Sequence, residues 1–214
     1  MTQSTPEVSF GLSDLDRVPL LPQQEEGLQR LREAALGTPA WRARKEIEAR
    51  DLLALERIAD RMEVLGLDVT TELRALVRLR APVPCMPPGA RDLVVKDQVD
   101  LALRYPEEIL RSPLPGFAIV EILAPRDVYH ANVATRGPSQ RLCLGANVPR
   151  GYPLREAVLA SYAALTLQSV MVDERDPAGV MNGEAARWWQ ANTARIPLTT
   201  APFLAPIRSG RSRS

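Results

Sequence analysis

Residues 129–145 read Tyr-His-Ala-Asn-Val-Ala-Thr-Arg-Gly-Pro-Ser-Gln-Arg-Leu-Cys-Leu-Gly. The stretch places a side-chain amide, Asn132, and a thiol, Cys143, on either side of a polar loop around Gly137-Pro138. A cysteine thiolate is the strongest side-chain nucleophile near neutral pH, and a thioester made on it stays reactive toward amines. Amine attack develops negative charge on the carbonyl oxygen, which an amide donor aimed at that oxygen stabilises. Cys143 is therefore a candidate acyl carrier and Asn132 a candidate oxyanion donor. The ordinary alternatives are a buried core cysteine and a loop asparagine bonding its own backbone. Gly145 lets the chain turn tightly beside the thiol. Arg141 favours the thiolate if its side chain points the same way. His130, the single histidine, makes a Cys/His hydrolase a competing reading, although no acid is evident in the sequence to orient its ring.

Working outward, an acidic run follows the cysteine: Asp173, Glu174, Asp176 and then Pro177, with Arg175 inside it. A carboxylate near a thioester can orient an incoming amine and take up its proton. Between Cys143 and this run, Pro153 to Val172 predicts a helix, with Leu154, Val158, Tyr162, Leu165, Ser169 and Val172 on its buried side. A further helix is predicted over 182–194, capped by Asn182. On the other side of the motif the period is that of strands. Leu73 to Leu79, Leu93 to Val95, Val99 to Leu103 and Phe117 to Leu123 predict four strands, with Pro82 to Gly89 a rigid loop. Earlier still, apolar residues Ile47, Leu55, Ile58, Met62 and Leu65 recur at helical spacing. They predict one helix over 40–65, started by Thr38-Pro39 and ended by Gly66. A shorter helix is predicted over 22–36, ended by Gly37.

The expected organisation is an N-terminal extension (1–38, its first 21 residues loosely ordered), a domain over 39–195, and a flexible tail over 196–214. The fold class is α+β: an N-terminal helix, a four-stranded antiparallel meander, the cysteine loop, then C-terminal helices. The chain has 214 residues, 45% of them apolar, and a net charge of +1. That supports a sizeable core and gives no argument for nucleic acid or a membrane surface. No apolar run approaches the roughly 20 residues that span a bilayer, and no basic-then-apolar leader opens the chain. The expected address is the cytoplasm, where thiols stay reduced. Two cysteines and one histidine are too few for a structural zinc site. All but two of the 27 basic residues are arginine, the exceptions being Lys45 and Lys96. Codon bias in a GC-rich bacterial genome accounts for this. So does the advantage to a carrier of amine-reactive thioesters of having few amines of its own.

The order of these pieces resembles the core of ubiquitin-conjugating enzymes. His130-Ala131-Asn132 stands where that family has His-Pro-Asn. Cys143 follows as the acceptor, then a crossover helix and the acidic loop at Asp176-Pro177. Tyr105-Pro106 and Ser112-Pro113-Leu114-Pro115 are similar to the family's segment between its third and fourth strands. The resemblance covers roughly 40–194. It implies that Cys143 carries a ubiquitin-like protein as a thioester, that Asn132 and Asp176 assist transfer to an amine, and that His130 organises the loop. It implies no cofactor and no metal. It implies three partners: an adenylating (activating) enzyme, a ubiquitin-like protein and a target with an acceptor amine. The activating enzyme is expected on the exposed face of helix 40–65, through Arg42, Arg44, Lys45 and Arg50. The divergent motif points to a bacterial member of an antiphage conjugation system. The alternative is a non-catalytic module of the same fold that grips ubiquitin-like proteins.

Overall fold

Pro22 and Pro39 each open a helix in the computed structural model, which describes residues 12–90, 92–135, 139–173 and 179–204. The first, α1, runs Pro22–Ala34, and the second, α2, runs Pro39–Ile58. The Thr38 hydroxyl accepts the Trp41 amide at 3.2 Å, satisfying one donor of the first turn as the sequence predicts. Gly37, between the helices, has φ +107°, and a Cβ there would meet the Trp41 ring at 2.7 Å.

The helix does not reach Leu65. It ends at Ile58, and Met62–Asp68 forms a strand, β1. Met62 and Leu65 fall on the helical period by coincidence. Once paired with the next strand, this segment satisfies its backbone across the sheet and bulges at Gly66, which is no helix cap. Ile47, counted in the apolar stripe, is 52% exposed.

β1 pairs antiparallel with β2 (Leu73–Cys85), which pairs with β3 (Val94–Tyr105). A two-residue strand, β4 (Leu114–Pro115), precedes β5 (Val120–Ala124), and β5 pairs with β3. A short β6 (Gln140–Arg141) adds to β5, and β7 (Asn147–Val148) pairs with β4. The main sheet is thus an antiparallel meander, β1-β2-β3-β5-β6. Leu73, Ala75, Val77 and Leu79 of β2 alternate inward beside Val99, Leu101, Leu103 and Tyr105 of β3. Two expectations change here. Val94–Val95, from the predicted strand at Leu93–Val95, and Val99–Leu103 belong to one strand, because the polar residues between them lie on its exposed end. The predicted rigid loop begins later, since Pro82 sits in a bulge of β2 and the strand continues to Cys85.

α3 (Leu154–Leu165) lies with α2 over the inner face of the sheet, and α4 (Gly183–Ala191) follows, capped by Asn182, whose side chain accepts the Ala185 amide. α3 stops short of Val172. Its exit turns through Leu167 at φ +60°, so Ser169 and Val172 leave the helical stripe. Among the described residues no helix is long and apolar enough to cross a membrane. The fold class is α+β.

Residues 12–18 and 199–203, at either end of the described span, join this body. Leu12–Arg17 forms a 3₁₀ turn, Leu15 and Val18 enter the main core, and the half-buried Arg50 guanidinium donates to the carbonyls of Leu15, Asp16 and Val18. Those residues are therefore not loosely ordered, and Arg50 is not a free docking charge. Nor is the start of the expected tail flexible. Phe203 is buried against Tyr162, and the Tyr162 hydroxyl donates to the Ala201 carbonyl at 2.8 Å. Residues 1–11 and 205–214 lie outside the described residues. The expected basic face of α2 is also corrected. Lys45 is fully buried, its ammonium donating to the carbonyls of Leu36, Val69, Thr70 and Thr71. Arg44 pairs with buried Glu48 and donates to the Gly151 carbonyl and the Tyr105 hydroxyl. Arg42 is the member of that set left exposed.

Candidate active site

The segment leaving β5 is sewn down before it reaches His130. Met86 N–H donates to the Asp127 carbonyl and Tyr129 N–H to the Pro84 carbonyl, both at 2.8 Å. The Gln140 side chain accepts the Val128 amide and donates to the Val128 carbonyl, acting as one more rung beside the sheet.

His130 is wholly buried. Its Nδ1 accepts the Asn132 amide at 3.0 Å, which leaves the proton on Nε2 to donate to the Ala164 carbonyl at 2.9 Å. Burial pushes its pKa down to about 4, against the modest upward pull of that carbonyl. The imidazole is neutral, with both nitrogens engaged by backbone. Its effect is to bind the loop to the C-terminal end of α3.

Asn132 and Cys143 are neighbours in space. The Cys143 amide donates to the Asn132 carbonyl at 2.8 Å, the Ala134 amide donates to the Arg141 carbonyl, and Val133 bridges Leu142. The two flanks of the loop, 132–134 and 141–143, thus pair with each other; residues 136–138, including Gly137-Pro138, lie outside the described residues. The Asn132 side chain points to a different task from the one expected. Its Nδ2 donates to the Gly179 carbonyl at 2.6 Å and its Oδ1 accepts the Met171 amide at 3.3 Å. Both ends of the amide clasp the segment that follows α3.

Cys143 is 7% exposed, and its thiol donates to the Gly145 carbonyl at 3.1 Å. The turn that carries it packs on Gly116. Leu144 N–H donates to the Gly116 carbonyl at 3.0 Å and Gly116 N–H to the Ala146 carbonyl at 3.3 Å. A Cβ on Gly116 would lie 1.7 Å from the Gly145 oxygen, so only glycine lets these backbones meet. Beside the thiol runs a shallow groove of about 480 Å³, walled by Ala160, Ala163, Met171 and Gly179 together with Asn132 and Gly145. The small side chains of Ala160 and Ala163 on α3 leave this space open beside the thiol.

Arg141 is exposed on β6, opposite Glu121. Asp176, with Glu174, Arg175 and Pro177, lies outside the described residues. Cys85 is buried in β2, where desolvation and the neighbouring Asp127 push its thiol up to about 12, and it forms no disulfide with Cys143. It is an inert thiol by comparison. Among the described residues no group of three His, Cys, Asp or Glu side chains is placed to hold a metal ion. Gly116, Gln140 and the Ala160/Ala163 wall were missed in the sequence. Pro115-Gly116 reads as a plain turn, and a small-residue stripe on a helix carries no signal until its neighbour is known. Comparisons with protein-family models, with curated proteins and with solved structures find no match.

Proposed function

We propose that this chain is a ubiquitin-conjugating-like transferase that carries a ubiquitin-like modifier, or a similar protein C-terminus, as a thioester on Cys143. The observation that carries the reading is the pairing of Cys143 with Asn132 by a backbone hydrogen bond in the lining of one groove. The order of elements supports it: helix, antiparallel meander, buried-histidine loop, cysteine, helix. The modifier's last residues lie in the groove with the terminal carbonyl at Sγ. An activating enzyme delivers the acyl group by thioester exchange, in which the Cys143 thiolate displaces the activating enzyme's own thiol. A target amine then attacks the carbonyl, with Asp176 orienting it, and Cys143 leaves as thiolate. The Asn132 amide reaches the oxyanion once its bonds to Met171 and Gly179 are given up. The activating enzyme docks on α2 around Arg42, since Arg44, Lys45 and Arg50 serve the fold. A cytoplasmic, bacterial, antiphage setting goes with this reading.

One observation favours a second reading. Because both ends of the Asn132 amide are consumed within the fold, a non-catalytic module that grips ubiquitin-like proteins would need nothing more. One experiment separates the two. With a cognate activating enzyme, ATP and modifier, the wild-type chain forms an adduct that thiol reductants cleave. Cys143→Ser forms an oxygen ester that resists them, Cys143→Ala forms nothing, and Cys85→Ala behaves as wild type. Binding of the modifier without any adduct would establish the second reading and end the first.

A further inference from the structure

Lys45 and Lys96 are the only side-chain amines in the chain, and the fold treats them oppositely. The Lys45 ammonium sits inside the body. It donates to the Leu36 carbonyl at 2.9 Å, to Thr70 and Thr71 at 3.2 and 3.4 Å, and more closely to Val69. Desolvation lowers its pKa, which by itself would make the amine more reactive. Enclosure prevents that, because an acyl donor cannot reach it without unfolding the α1–α2 junction. Lys96 is on the surface of β3 with 40% of its side chain exposed, and its Nζ lies 2.8 Å from Asp127 Oδ1. Asp127 is 18% exposed and belongs to the segment that leads into His130. Its hydrogen bond raises the Lys96 pKa and so lowers the fraction of free amine.

We propose that Lys96 is the one lysine at which this folded protein is acylated, and that Asp127 holds its reactivity down. The neutral Lys96 amine attacks an activated acyl carbonyl. The N–C bond forms, the bond from that carbonyl to its sulfur or oxygen leaving group breaks, and the leaving group departs with the electron pair. The amine's proton passes to the Asp127 carboxylate and on to water. The resulting amide carries no charge, so the Asp127 ion pair is lost while the backbone bonds from Met86 to Asp127 and from Tyr129 to Pro84 still hold the segment leading to His130. The length of β3 between Lys96 and Leu103 puts Lys96 on the order of 20 Å from Cys143, because Leu103 faces Val120 and the Val120 carbonyl accepts the Leu142 amide. The donor is therefore external: a small activated acyl compound or a second, charged copy of the chain. The inference stands whether or not Cys143 carries a modifier.

The test acetylates the full-length folded protein with limiting N-acetoxysuccinimide and follows each lysine by peptide mass spectrometry. Lys96 is expected to be the labelled lysine, with Lys45 protected until guanidinium unfolds the chain. Asp127→Asn is expected to speed Lys96 labelling at least about twofold, since one unit of amine pKa changes the free-base fraction about tenfold. High salt should speed the wild type in the same direction, which keeps the test valid if the variant does not fold. Lys96→Arg should leave no lysine labelled. Labelling of Lys45 in the folded protein at a rate near that of Lys96 would overturn the proposal, as would a Lys96 rate indifferent to both Asp127→Asn and salt. A parallel arm mixes charged wild-type chain with tagged Cys143→Ala chain. Modification of the tagged chain at Lys96 identifies a second copy as a donor, and labelling by the small ester alone identifies a small acyl compound.

Discussion

His130 shows how one buried side chain can hold the loop that carries Cys143. Its ring bonds the Asn132 amide on one side and the Ala164 carbonyl on the other. The Asn132 carbonyl then receives the Cys143 amide. A chain of hydrogen bonds therefore runs from the end of α3 through the imidazole to Cys143. Only the neutral ring can accept at Nδ1. Its folded pKa of about 4 lies below the ordinary value of 6.5, so between those two pH values the unfolded chain binds more protons than the folded one. The stability due to neutral His130 is complete above about pH 6.5 and is lost as pH falls toward 4, to a total of roughly 3 kcal/mol. Urea unfolding measured from pH 7 to 4.5 should show this extra slope in wild type and its absence in His130→Gln. Equal slopes in the two proteins would mean that the ring titrates freely in the fold.

At the scale of elements, the joint between α2 and α3 decides where the groove wall stands. Pro153 cannot cap α3 with its side chain, so the acceptor comes from α2. Buried Glu48 takes the Leu154 amide at 2.7 Å on one oxygen and Arg44 at 2.6 Å on the other. Asp51 and Arg155 form a second tie next to it. Burial raises the Glu48 pKa even against these partners, so the site depends on their being present. Glu48→Ala strands the Leu154 N–H and removes the carboxylate partner of part-buried Arg44, which keeps its Gly151 and Tyr105 acceptors, and should cost about 2 kcal/mol. Glu48→Gln keeps an acceptor for Leu154 and should cost less. Amide exchange over Leu154–Ala157 should rise first in the alanine variant; if the two substitutions cost the same, the cap is not what holds α3. None of this joint was legible in the sequence, because Glu48 reads as one charge among many on an amphipathic helix. What was legible was local chemistry: the Thr38 and Asn182 caps, the alternation of Leu73 to Leu79, the Pro39 start. What failed was the 40–65 period, where pairing with β2 outweighs the helical spacing of Met62 and Leu65. At the site, Cys143 and Asn132, which the sequence sets on either side of one loop, meet through a backbone hydrogen bond. It could not show that Asn132 spends its amide on Gly179 and Met171, residues far along the chain.

For the whole molecule, the decisive point is that Leu15 and Val18 near one end of the described span and Phe203 near the other complete the core. α3 carries the groove on one side through Ala160 and Ala163. On another it is held by the segment 199–203, where Tyr162 reaches the Ala201 carbonyl and Gln168 reaches the carbonyls of Thr199 and Ala201. Phe203 closes this contact, buried edge-on against Tyr162 with ring centroids 5.3 Å apart. A helix gripped on its outer side cannot shift its inner wall, so the width of the groove depends on residues some 60 positions beyond Cys143 (203 − 143 = 60). Removing the Phe203 ring leaves a cavity next to Tyr162 and should cost about 3 kcal/mol. For a chain of this size that lowers Tm by roughly 6–12 °C. Stopping the chain after Leu198 should cost at least as much, since it also strands the Tyr162 hydroxyl. Thermal unfolding followed by near-ultraviolet circular dichroism reads both, because Tyr162 sits in the affected core. A Tm unchanged in Phe203→Ala would return residues 199–203 to the status of a loose tail and remove the outer grip on α3.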